Sequence, residues 1–378
     1  MAAKESNPSL RHYVLDARTA TPHFPGIGRY VTGLAGALVP LLEPDERLSL
    51  LHHPAHPLRL PASTSVSPVS CASSPFGFTQ QWTLPRLLAQ LGAALYHSPY
   101  YLMPYHSGIP TVLTVYDLIP LLFSSQSTAR ARLLYRWATA AALRAARRVV
   151  VISEATRNDL LRHFAVAPGR VVTVMPAADP AFRPQPLDAV AAIRTRHKLP
   201  QEFVLYLGSN KPHKNLVRLV DAWAALAGTT PALLVIAGAW DPRYDGARRR
   251  AEALGLRESV CFLGRVPEAD LPGLYTAAAA FIFPSLYEGF GLPVLEAMAC
   301  GVPVACANAS SLPEVAGDAA LLFDPLDSPA MAQAMGQLLA DAELRQELAR
   351  RGLARAAGFS WTRTAQDHLA IYREEIAR

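Results

Sequence analysis

The stretch FPSLYEGFGLPVLEAMACGVP, residues 283–303, joins the end of a buried apolar strand to a helix through a loop with two glycines. The helix is predicted over Leu292–Ala299 and has Pro293 in its first turn, where a missing N–H is harmless. Gly289 and Gly291 allow the backbone to approach a ligand closely. Because N–H groups and the helix dipole favour an anion at such a junction, the stretch predicts an anion seat after a buried strand.

Two carboxylates flank this loop. Glu288 precedes the helix, and Glu296 lies about one turn inside it. Since a carboxylate repels phosphate, a better role for both is to accept hydrogen bonds from hydroxyl groups. A phosphate seat between two hydroxyl-binding carboxylates fits a sugar nucleotide. The alternative is a structural junction whose glutamates cap or favour the helix N-terminus.

Short apolar strands alternate with helix-length segments along most of the chain, which predicts parallel sheets covered by helices on both faces. The predicted strands are His12–Asp16, Leu48–Leu51, Ala94–His97, Thr111–Val115, Val149–Ile152, Phe203–Leu207, Leu233–Ile236, Val260–Leu263, Ala279–Phe283 and Pro303–Ala305. The predicted helices are Gly28–Leu42, Ser127–Ala146, Glu154–His163, Lys214–Leu226, Pro242–Leu254, Pro267–Ala277, Leu292–Ala299 and Ser360–Arg378.

The length of 378 residues suggests two domains. A Pro/Ala stretch, Met175–Pro186, is the best candidate for the linker between them. The segment His52–Pro75 is rich in Pro, Ser and His and predicts a long surface loop. Open parallel sheets bind ligands at the carboxyl ends of their strands, so we expect a ligand in a cleft between the two domains.

Composition excludes several classes of protein. The chain is 51% hydrophobic and 17% charged, which excludes a disordered protein. Its four cysteines form no CxxC pair or metal-ligand spacing, so we expect buried, reduced thiols. The N-terminus has no apolar signal segment, and the longest apolar run, Ala277–Phe283, is far short of the ~20 residues that cross a bilayer. These features predict a cytoplasmic protein.

Positive charge is concentrated in the first half, where residues 1–180 carry 16 Lys/Arg against 9 Asp/Glu. The predicted helix Ser127–Ala146 lies in this half and combines arginines with Leu and Trp. Such a helix is typical of contact with an anionic membrane, and the alternative is an ordinary surface helix. Nucleic-acid binding is not expected, because no motif or aromatic pattern accompanies the charge. The arginines of this segment are Arg130, Arg132, Arg136, Arg144, Arg147 and Arg148.

Several motifs together resemble one enzyme family. The spacing Glu-x7-Glu in EGFGLPVLEAMACGVPV is similar to the signature of family-4 retaining glycosyltransferases, which have the GT-B fold. The resemblance covers nearly the whole chain and is strongest over residues 203–325. Four further stretches agree with it: PGIGRY at residues 25–30, VISEATR at 151–157, GSNKPHKNL at 208–216 and FLGRVPEADLPGLY at 262–275.

The resemblance implies a GT-B enzyme with two Rossmann-like domains. Residues 1–180 form the acceptor-binding domain, completed by the C-terminal helix 360–378, and residues 181–359 bind the nucleotide sugar. Glu296 holds the ribose hydroxyls, Glu288 the hydroxyls of the donor sugar, and Lys214 neutralises the diphosphate. The implied donor-binding residues are Gly26, Gly28, Arg29, Gly208, Lys211, Lys214, Arg265, Val266, Glu288, Gly289, Phe290, Gly291, Leu292 and Glu296.

Two positions of the donor motifs leave alternatives open. Many family members carry an arginine just after the glycine that corresponds to Gly208, whereas this chain has Ser209 and Asn210. Lys211 either substitutes for that arginine or lies on a solvated face. The turn at Gly26 either lies beneath the donor phosphates or is an ordinary helix start, since Val31 occupies the third position of a dinucleotide fingerprint.

The acceptor side is predicted from TVLTVYDLIP, residues 111–120, which is similar to a family strand that often ends in His-Asp-Leu. Tyr116 replaces the histidine and Asp117 is retained. The expected acceptor-binding residues are His97, Tyr116 and Asp117, and the expected catalytic residues are Glu288, Asp117 and Lys214. The alternatives are a structural histidine at His97 and a turn-capping role for Asp117.

The chain contains no Asp-x-Asp motif, so we expect a metal-independent hexosyltransferase without a cofactor. The GIGRY and YDLIP stretches resemble bacterial mannosyltransferases, which favours GDP-mannose as donor and a glycan or lipid-linked acceptor. UDP- or ADP-glucose is the alternative donor. An epimerase or phosphorylase on the same fold and a non-catalytic sugar-nucleotide-binding protein are the competing functions.

Overall fold

The structure is a computed structural model that describes residues 10–21, 25–57, 64–123 and 128–378. These residues divide into two compact units. The first comprises the described residues of 10–121, 129–176 and 360–378, and the second those of 122–128 and 177–359.

Each unit is built on a parallel sheet. The strands of the first unit, in the order β3-β2-β1-β4-β5-β6-β7 across the described sheet, are β1 Arg11–Asp16, β2 Glu46–His52, β3 Val66–Ser70, β4 Leu95–Ser98, β5 Thr111–Val115, β6 Arg148–Val151 and β7 Val171–Thr173. Those of the second, in the order β10-β9-β8-β11-β12-β13, are β8 Phe203–Leu207, β9 Leu233–Ala237, β10 Val260–Gly264, β11 Ala280–Phe283, β12 Val304–Ala307 and β13 Ala320–Phe323. Two parallel, Rossmann-like sheets confirm the predicted fold class.

Helices cover both sheets. Those of the first half are α1 Pro25–Leu38, α2 Gln80–Gln90, α3 Ile119–Leu122, α4 Ala129–Ala145 and α5 Glu154–His163. Those of the second half are α6 Leu187–His197, α7 Leu216–Ala224, α8 Gly246–Ala253, α9 Leu271–Ala277, α10 Leu292–Ala299, α11 Leu312–Ala316, α12 Ser328–Ala340, α13 Ala342–Ala357 and α14 Trp361–Ala377.

The last helix, α14, packs in the first unit against α1. A Cβ on Gly33 would lie only 2.4 Å from the ring of Trp361, so this helix pair requires glycine at its crossing point. A second contact joins α14 to the sheet, because Nε of Arg148 in β6 donates to Glu375 Oε1 at 2.9 Å. The side-chain carboxylate of Glu375 is fully buried. The C-terminal segment therefore completes the first sheet's helical layer.

Two local predictions differ from the structure. The segment His52–Pro75 is not all loop, because β3 pairs with β2 along the sheet edge, where Pro68 is tolerated. Residues 58–63 of that segment lie outside the described residues. The helix predicted from Lys214 begins at Leu216, after a 3-10 turn over Pro212–Lys214.

Candidate functional site

Lys214 and Glu288 form an ion pair at the carboxyl edge of the second sheet. Lys214 follows β8 and Glu288 follows β11, which are neighbouring parallel strands. Lys214 Nζ lies 2.6 Å from Glu288 Oε1, and the two side chains are only 14% and 10% exposed. The ammonium also sits 5.2 Å from the ring centroid of Phe283. The structure therefore brings together two of the three predicted catalytic residues.

The turn that carries Lys214 is held against the loop that carries Glu288. Leu286 N donates to the carbonyl of His213 at 2.7 Å. Burial and the two neighbouring lysines, Lys214 and Lys211, lower the pKa of His213 to about 2, so this imidazole stays neutral. Asn215 Nδ2 donates to the carbonyl of Pro284 at 3.1 Å. These contacts fix the ammonium and the carboxylate on one rigid edge.

Two serines, which the sequence analysis missed, hold the glycine loop. Ser310 Oγ donates to the Glu288 carbonyl at 2.6 Å, and Ser311 Oγ donates to the Phe290 carbonyl at 2.7 Å. Gly291 has φ +107° and caps α10, and a Cβ there would lie 2.6 Å from Leu312 Cδ2. The backbone of Gly289–Leu292 is thus set in place around the helix N-terminus. The polar run after β12 was the only sequence signal for these serines.

Glu296 is buried, with 1% of its surface exposed. Tyr275 Oη donates to its Oε2 at 2.9 Å, which fixes one oxygen of the carboxylate. Tyr275 is itself packed between Phe182 and Phe281, with ring centroids 5.8 and 5.4 Å away. Tyr275 lies within the predicted base-binding stretch but was not singled out, and here it is a positioning residue for Glu296.

The loops after β8 and β9 are pressed together. Gly208 N donates to the Ala237 carbonyl at 3.0 Å. A Cβ on Gly238, which has φ +128°, would lie 2.0 Å from the Gly208 carbonyl oxygen. Burial, with Glu288 nearby, raises the pKa of Tyr206 well above its ordinary value, so its neutral hydroxyl donates to the Ser209 carbonyl at 2.8 Å. Glycine at positions 208 and 238 therefore allows these two loops to pack closely at the sheet edge that carries the ion pair.

Asn210 and Lys211 lie in the turn that follows Gly208, shortly after β8. Asn210 is buried, and its Nδ2 donates to the carbonyls of Asp241 and Tyr244 at 2.8 and 3.0 Å. It is therefore a structural link between loops. Lys211 is exposed and lines a cavity of about 380 Å³ that also contains Arg218 and Arg243. The structure places Lys211 in this basic cavity, whereas Lys214 pairs with Glu288.

Arg265 and Val266, predicted to contact the base, follow β10 at the same edge of the sheet. Arg265 is exposed and Val266 is buried. Gly264 has φ +75°, and its carbonyl accepts from Gly238 N at 2.7 Å. The loops after β8, β9 and β10 are consequently linked by backbone hydrogen bonds.

In the first unit, Gly26, Gly28 and Arg29 lie in the first turns of α1. Among the described residues, a Cβ on Gly26 would meet no atom within 4 Å, and one on Gly28 only the Cα of Ala20 at 3.9 Å. Packing against these residues therefore does not require glycine at either position. The approach of a donor phosphate to this turn stays a prediction.

Tyr116 and Asp117 follow β5. The Tyr116 ring packs edge-on against Tyr30 at 5.1 Å, and its buried hydroxyl has no hydrogen-bond partner in the described chain. Asp117 Oδ1 accepts from Ile119 N at 2.9 Å, which is the capping contact expected of the structural alternative. Asp117 also lies beside a group of tyrosines: burial, and then the nearby charge of Asp117, raise the pKa of Tyr135. Its role toward an acceptor stays a prediction.

His97 lies in the core of the first unit. Its Nδ1 shares a hydrogen bond with Tyr372 Oη at 2.6 Å and its Nε2 with Thr114 Oγ1 at 2.8 Å. Its ring stacks on His368 at 5.5 Å, and His368 Nε2 shares a hydrogen bond with Tyr30 Oη at 2.9 Å. Both ring nitrogens of His97 are engaged, which favours the structural alternative over acceptor binding.

This histidine pair predicts a pH-dependent stability. Burial lowers the pKa of His97 well below its ordinary value and that of His368 to about 4. An unfolded histidine titrates near 6.5, so between about pH 6.5 and 4 the unfolded chain binds more protons than the folded chain. The free energy of unfolding therefore decreases as the pH is lowered through this range. His368 alone contributes up to about 3 kcal/mol to this fall. We expect Tm to drop over this range, and less steeply in His368→Gln; an unchanged slope in that variant would contradict the assignment.

The remaining titratable groups that the sequence singled out are thiols. Cys71, Cys300 and Cys306 are buried, Cys261 is half-buried, and all four are free. Burial raises the pKa of Cys300 and Cys306 to about 12, so both remain unreactive thiols.

Within the described ranges, no three Asp, Glu, His or Cys side chains cluster as metal ligands would. Among the same residues, no helix has the length and apolar character needed to span a bilayer.

Two Rossmann-like units, each with a parallel sheet, are the architecture of GT-B glycosyltransferases. Residues 25–182 match the sequence family described as "Glycosyltransferase Family 4", and residues 191–355 match the family described as "Glycosyl transferases group 1". O-antigen chain mannosyltransferase B of Escherichia coli is 34% identical over 286 residues, which cover 74% of each chain. The chain belongs to the family-4 glycosyltransferases, and mannosyltransferases are among its relatives.

Two further proteins place this membership in context. The serotype-specific mannosyltransferase WbdA of Escherichia coli is 33% identical over 268 residues, which are 69% of this chain and 33% of that protein. The chain thus spans about a third of WbdA. The solved structure of sucrose-phosphate synthase from Thermosynechococcus elongatus superposes with a TM-score of 0.76 at 23% identity, covering 97% of this chain and 99% of that one. At this identity the likeness concerns the fold alone.

Proposed function

We propose that the protein transfers a mannosyl group from GDP-mannose to a glycan or lipid-linked acceptor, with retention of anomeric configuration. The Lys214–Glu288 pair carries the proposal: a cation lies beside a carboxylate, and we assign the first to the diphosphate and the second to the sugar hydroxyls. The mannosyltransferase relatives favour mannose, and the resemblance to retaining enzymes favours retention. UDP- or ADP-glucose is the alternative donor.

The chemistry follows from where charge develops. As the bond from the anomeric carbon to the diphosphate breaks, negative charge grows on the leaving oxygen, and a fixed cation there lowers the barrier. Lys214 is such a cation, and the N-terminus of α10 adds oriented N–H groups and its dipole. Glu288 accepts a hydrogen bond from the donor sugar and Glu296 from the ribose. Because the protein's own groups supply the positive charge, we expect transfer to persist in EDTA.

A donor screen tests this proposal. A ligand that binds only the native state raises the melting temperature, so GDP-mannose and GDP should stabilise the protein more than UDP-glucose or ADP-glucose at equal concentration. NMR of the first-formed product should show the donor's anomeric configuration. Stabilisation by UDP-glucose alone would select the alternative donor. Turnover of donor without acceptor would indicate an epimerase, and tight binding without turnover a binding protein.

We also propose that the protein is cytoplasmic and rests on an anionic membrane through α4. This helix exposes three large apolar side chains, Leu133, Leu134 and Trp137, with exposed fractions of 58%, 68% and 65%. Exposed Arg130 and Arg136 accompany them, which is the pattern of an interfacial helix. The expectation that Arg147 and Arg148 belong to this helix is wrong, because they follow its end and pair with Glu375.

The membrane proposal predicts a dependence on both charge and apolar contact. Trp137→Ser should weaken co-sedimentation with phosphatidylglycerol vesicles about tenfold, since burying one large side chain contributes about 1.5–3 kcal/mol. Added salt should weaken it further by screening the arginines. Trp82→Ser is the matched control, because Trp82 is 61% exposed on a different helix, α2. Equal recovery with neutral and anionic vesicles at low salt would refute the proposal.

A further inference from the structure

In the first unit, a row of aromatic rings leads from the exposed Phe76 to Asp117. We call this row the aromatic ladder; its members are Phe76, Tyr100, Tyr101 and Tyr135. Consecutive ring centroids lie 5.9, 4.4 and 4.8 Å apart. At its inner end, Tyr135 Oη donates to the Asp117 carbonyl at 3.2 Å. At its outer end, Phe76 is 52% exposed.

The loop that carries Phe76 is anchored by a buried arginine. Arg18 is 1% exposed and forms a 2.6 Å ion pair with Asp16 at the end of β1. Its Nη1 donates to the Ser73 carbonyl at 2.7 Å, and its Nη2 donates to Gln80 Oε1 at 3.1 Å. Gln80 Nε2 in turn donates to the Pro75 carbonyl at 2.6 Å. Both sides of Phe76 are therefore fixed to the sheet.

The loop that carries the two tyrosines is fixed in the same way. Ser98 Oγ donates to the Tyr100 carbonyl at 2.7 Å. Gln81 Nε2 donates to the Met103 carbonyl at 2.8 Å, and its Oε1 accepts from Tyr105 N at 3.0 Å. A site whose rings are held by hydrogen-bonded loops loses little conformational entropy when a ligand binds.

The chemistry of the ladder identifies the class of ligand. Aromatic faces take apolar surface, and tyrosine hydroxyls take hydrogen bonds, so the ladder suits a molecule with both features. Burial and the nearby Asp117 charge raise the pKa of Tyr100 and Tyr101, so both phenols stay neutral. The same carboxylate disfavours an anionic ligand. A pyranose ring, with one C–H face and a rim of hydroxyls, meets these requirements without charge.

We propose that the aromatic ladder is the platform on which a neutral saccharide acceptor stacks, with its reacting end at Asp117. This inference rests on the proposed glycosyl transfer and specifies its acceptor as an uncharged glycan. Phe76, Tyr100 and Tyr101 receive the sugar units, whereas the buried Tyr135 supports the inner end of the row. The hydroxyls of Tyr100 and Tyr101, 3.3 Å apart, form hydrogen bonds with the sugar hydroxyls. The ladder is a binding element and takes no part in bond breaking.

The test uses mannotetraose and methyl α-mannoside as acceptor probes with GDP-mannose as donor. Phe76→Ala and Tyr101→Ala should each raise KM for mannotetraose by roughly 2- to 12-fold, the range for one aromatic contact. Tyr101→Phe keeps the ring and should have a smaller effect. The KM for GDP-mannose should not change. Phe78→Ala is the matched control, because Phe78 lies in the same loop and is 85% exposed.

The outcomes separate this inference from the proposed function. If the wild type transfers no sugar from any nucleotide donor, the proposed function fails. If transfer occurs and both Phe76→Ala and Tyr101→Ala keep the wild-type KM for mannotetraose, the ladder is not the acceptor platform. Tighter binding of mannose 6-phosphate than of mannose would overturn the assignment to a neutral ligand. Phe76 is half-exposed, so Phe76→Ala remains informative even if Tyr101→Ala folds poorly.

Discussion

Replacing Lys214 by methionine is expected to lower kcat/KM for the sugar nucleotide by roughly tenfold to 150-fold. A charge-assisted hydrogen bond contributes about 1.5–3 kcal/mol, and the diphosphate would lose one such contact. Methionine keeps the apolar stem that lies over Phe283, so loss of packing is a minor part of the change. The measurement is the steady-state rate with GDP-mannose, with Lys211→Met as the matched control.

The control is sharp because the two lysines occupy different surroundings. Lys211 is exposed in a basic cavity, whereas Lys214 is 14% exposed and paired with Glu288. A larger loss in Lys211→Met than in Lys214→Met would show that Lys211 replaces the family arginine at the diphosphate. Wild-type kcat/KM in Lys214→Met would disprove the role of Lys214 outright.

The ion pair changes what the sequence predicts for stability. A lysine at a helix start contributes little to folding, because the dipole there disfavours a cation. The structure instead gives Lys214 a carboxylate partner at 2.6 Å, so its removal leaves Glu288 buried without a counter-charge. Loss of one partner of a buried pair costs about 3–5 kcal/mol. The double variant Lys214→Met/Glu288→Gln should therefore be more stable than Lys214→Met alone.

The parts of the site that the sequence predicts are those encoded in one continuous stretch. The loop–helix junction and both glutamates follow from residue type and spacing within one short segment, and Lys214 follows from a second short segment that resembles the family's motif. The partners that hold them come from distant segments: Ser310 is 22 residues from Glu288, and Tyr275 is 21 from Glu296. No local pattern pairs such residues, because only the order of strands in the sheet brings their loops together.

The first half was harder to predict for a physical reason. For His97, local sequence does not distinguish a structural role from acceptor binding. In the structure, His97 shares hydrogen bonds with Thr114 and with Tyr372, which lies in the last helix. The sequence likewise assigns Arg148 to a basic helix, whereas in the structure Arg148 forms an ion pair with Glu375. Each of these contacts joins residues that are remote in sequence, so charge and periodicity alone favour the exposed interpretation.

The two carboxylates of the donor site should separate in their effects on binding and on rate. Glu296 is assigned to the ribose, which is remote from the reacting bond. Glu296→Gln should weaken binding of both GDP-mannose and bare GDP by roughly tenfold to 150-fold. Glu288 is assigned to the sugar, whose charge and shape change in the transition state. Glu288→Gln should therefore lower kcat while leaving GDP affinity nearly intact.

The surroundings of each residue sharpen this comparison. Tyr275→Phe removes the hydroxyl that fixes Glu296 Oε2 and should reproduce part of the binding defect of Glu296→Gln without touching kcat. In Glu288→Gln, Lys214 loses its counter-charge, so GDP should bind as well as or better than in the wild type. Calorimetry with GDP, beside steady-state rates with GDP-mannose, measures both effects. If Glu288→Gln loses GDP affinity while Glu296→Gln retains it, the two roles are assigned the wrong way round.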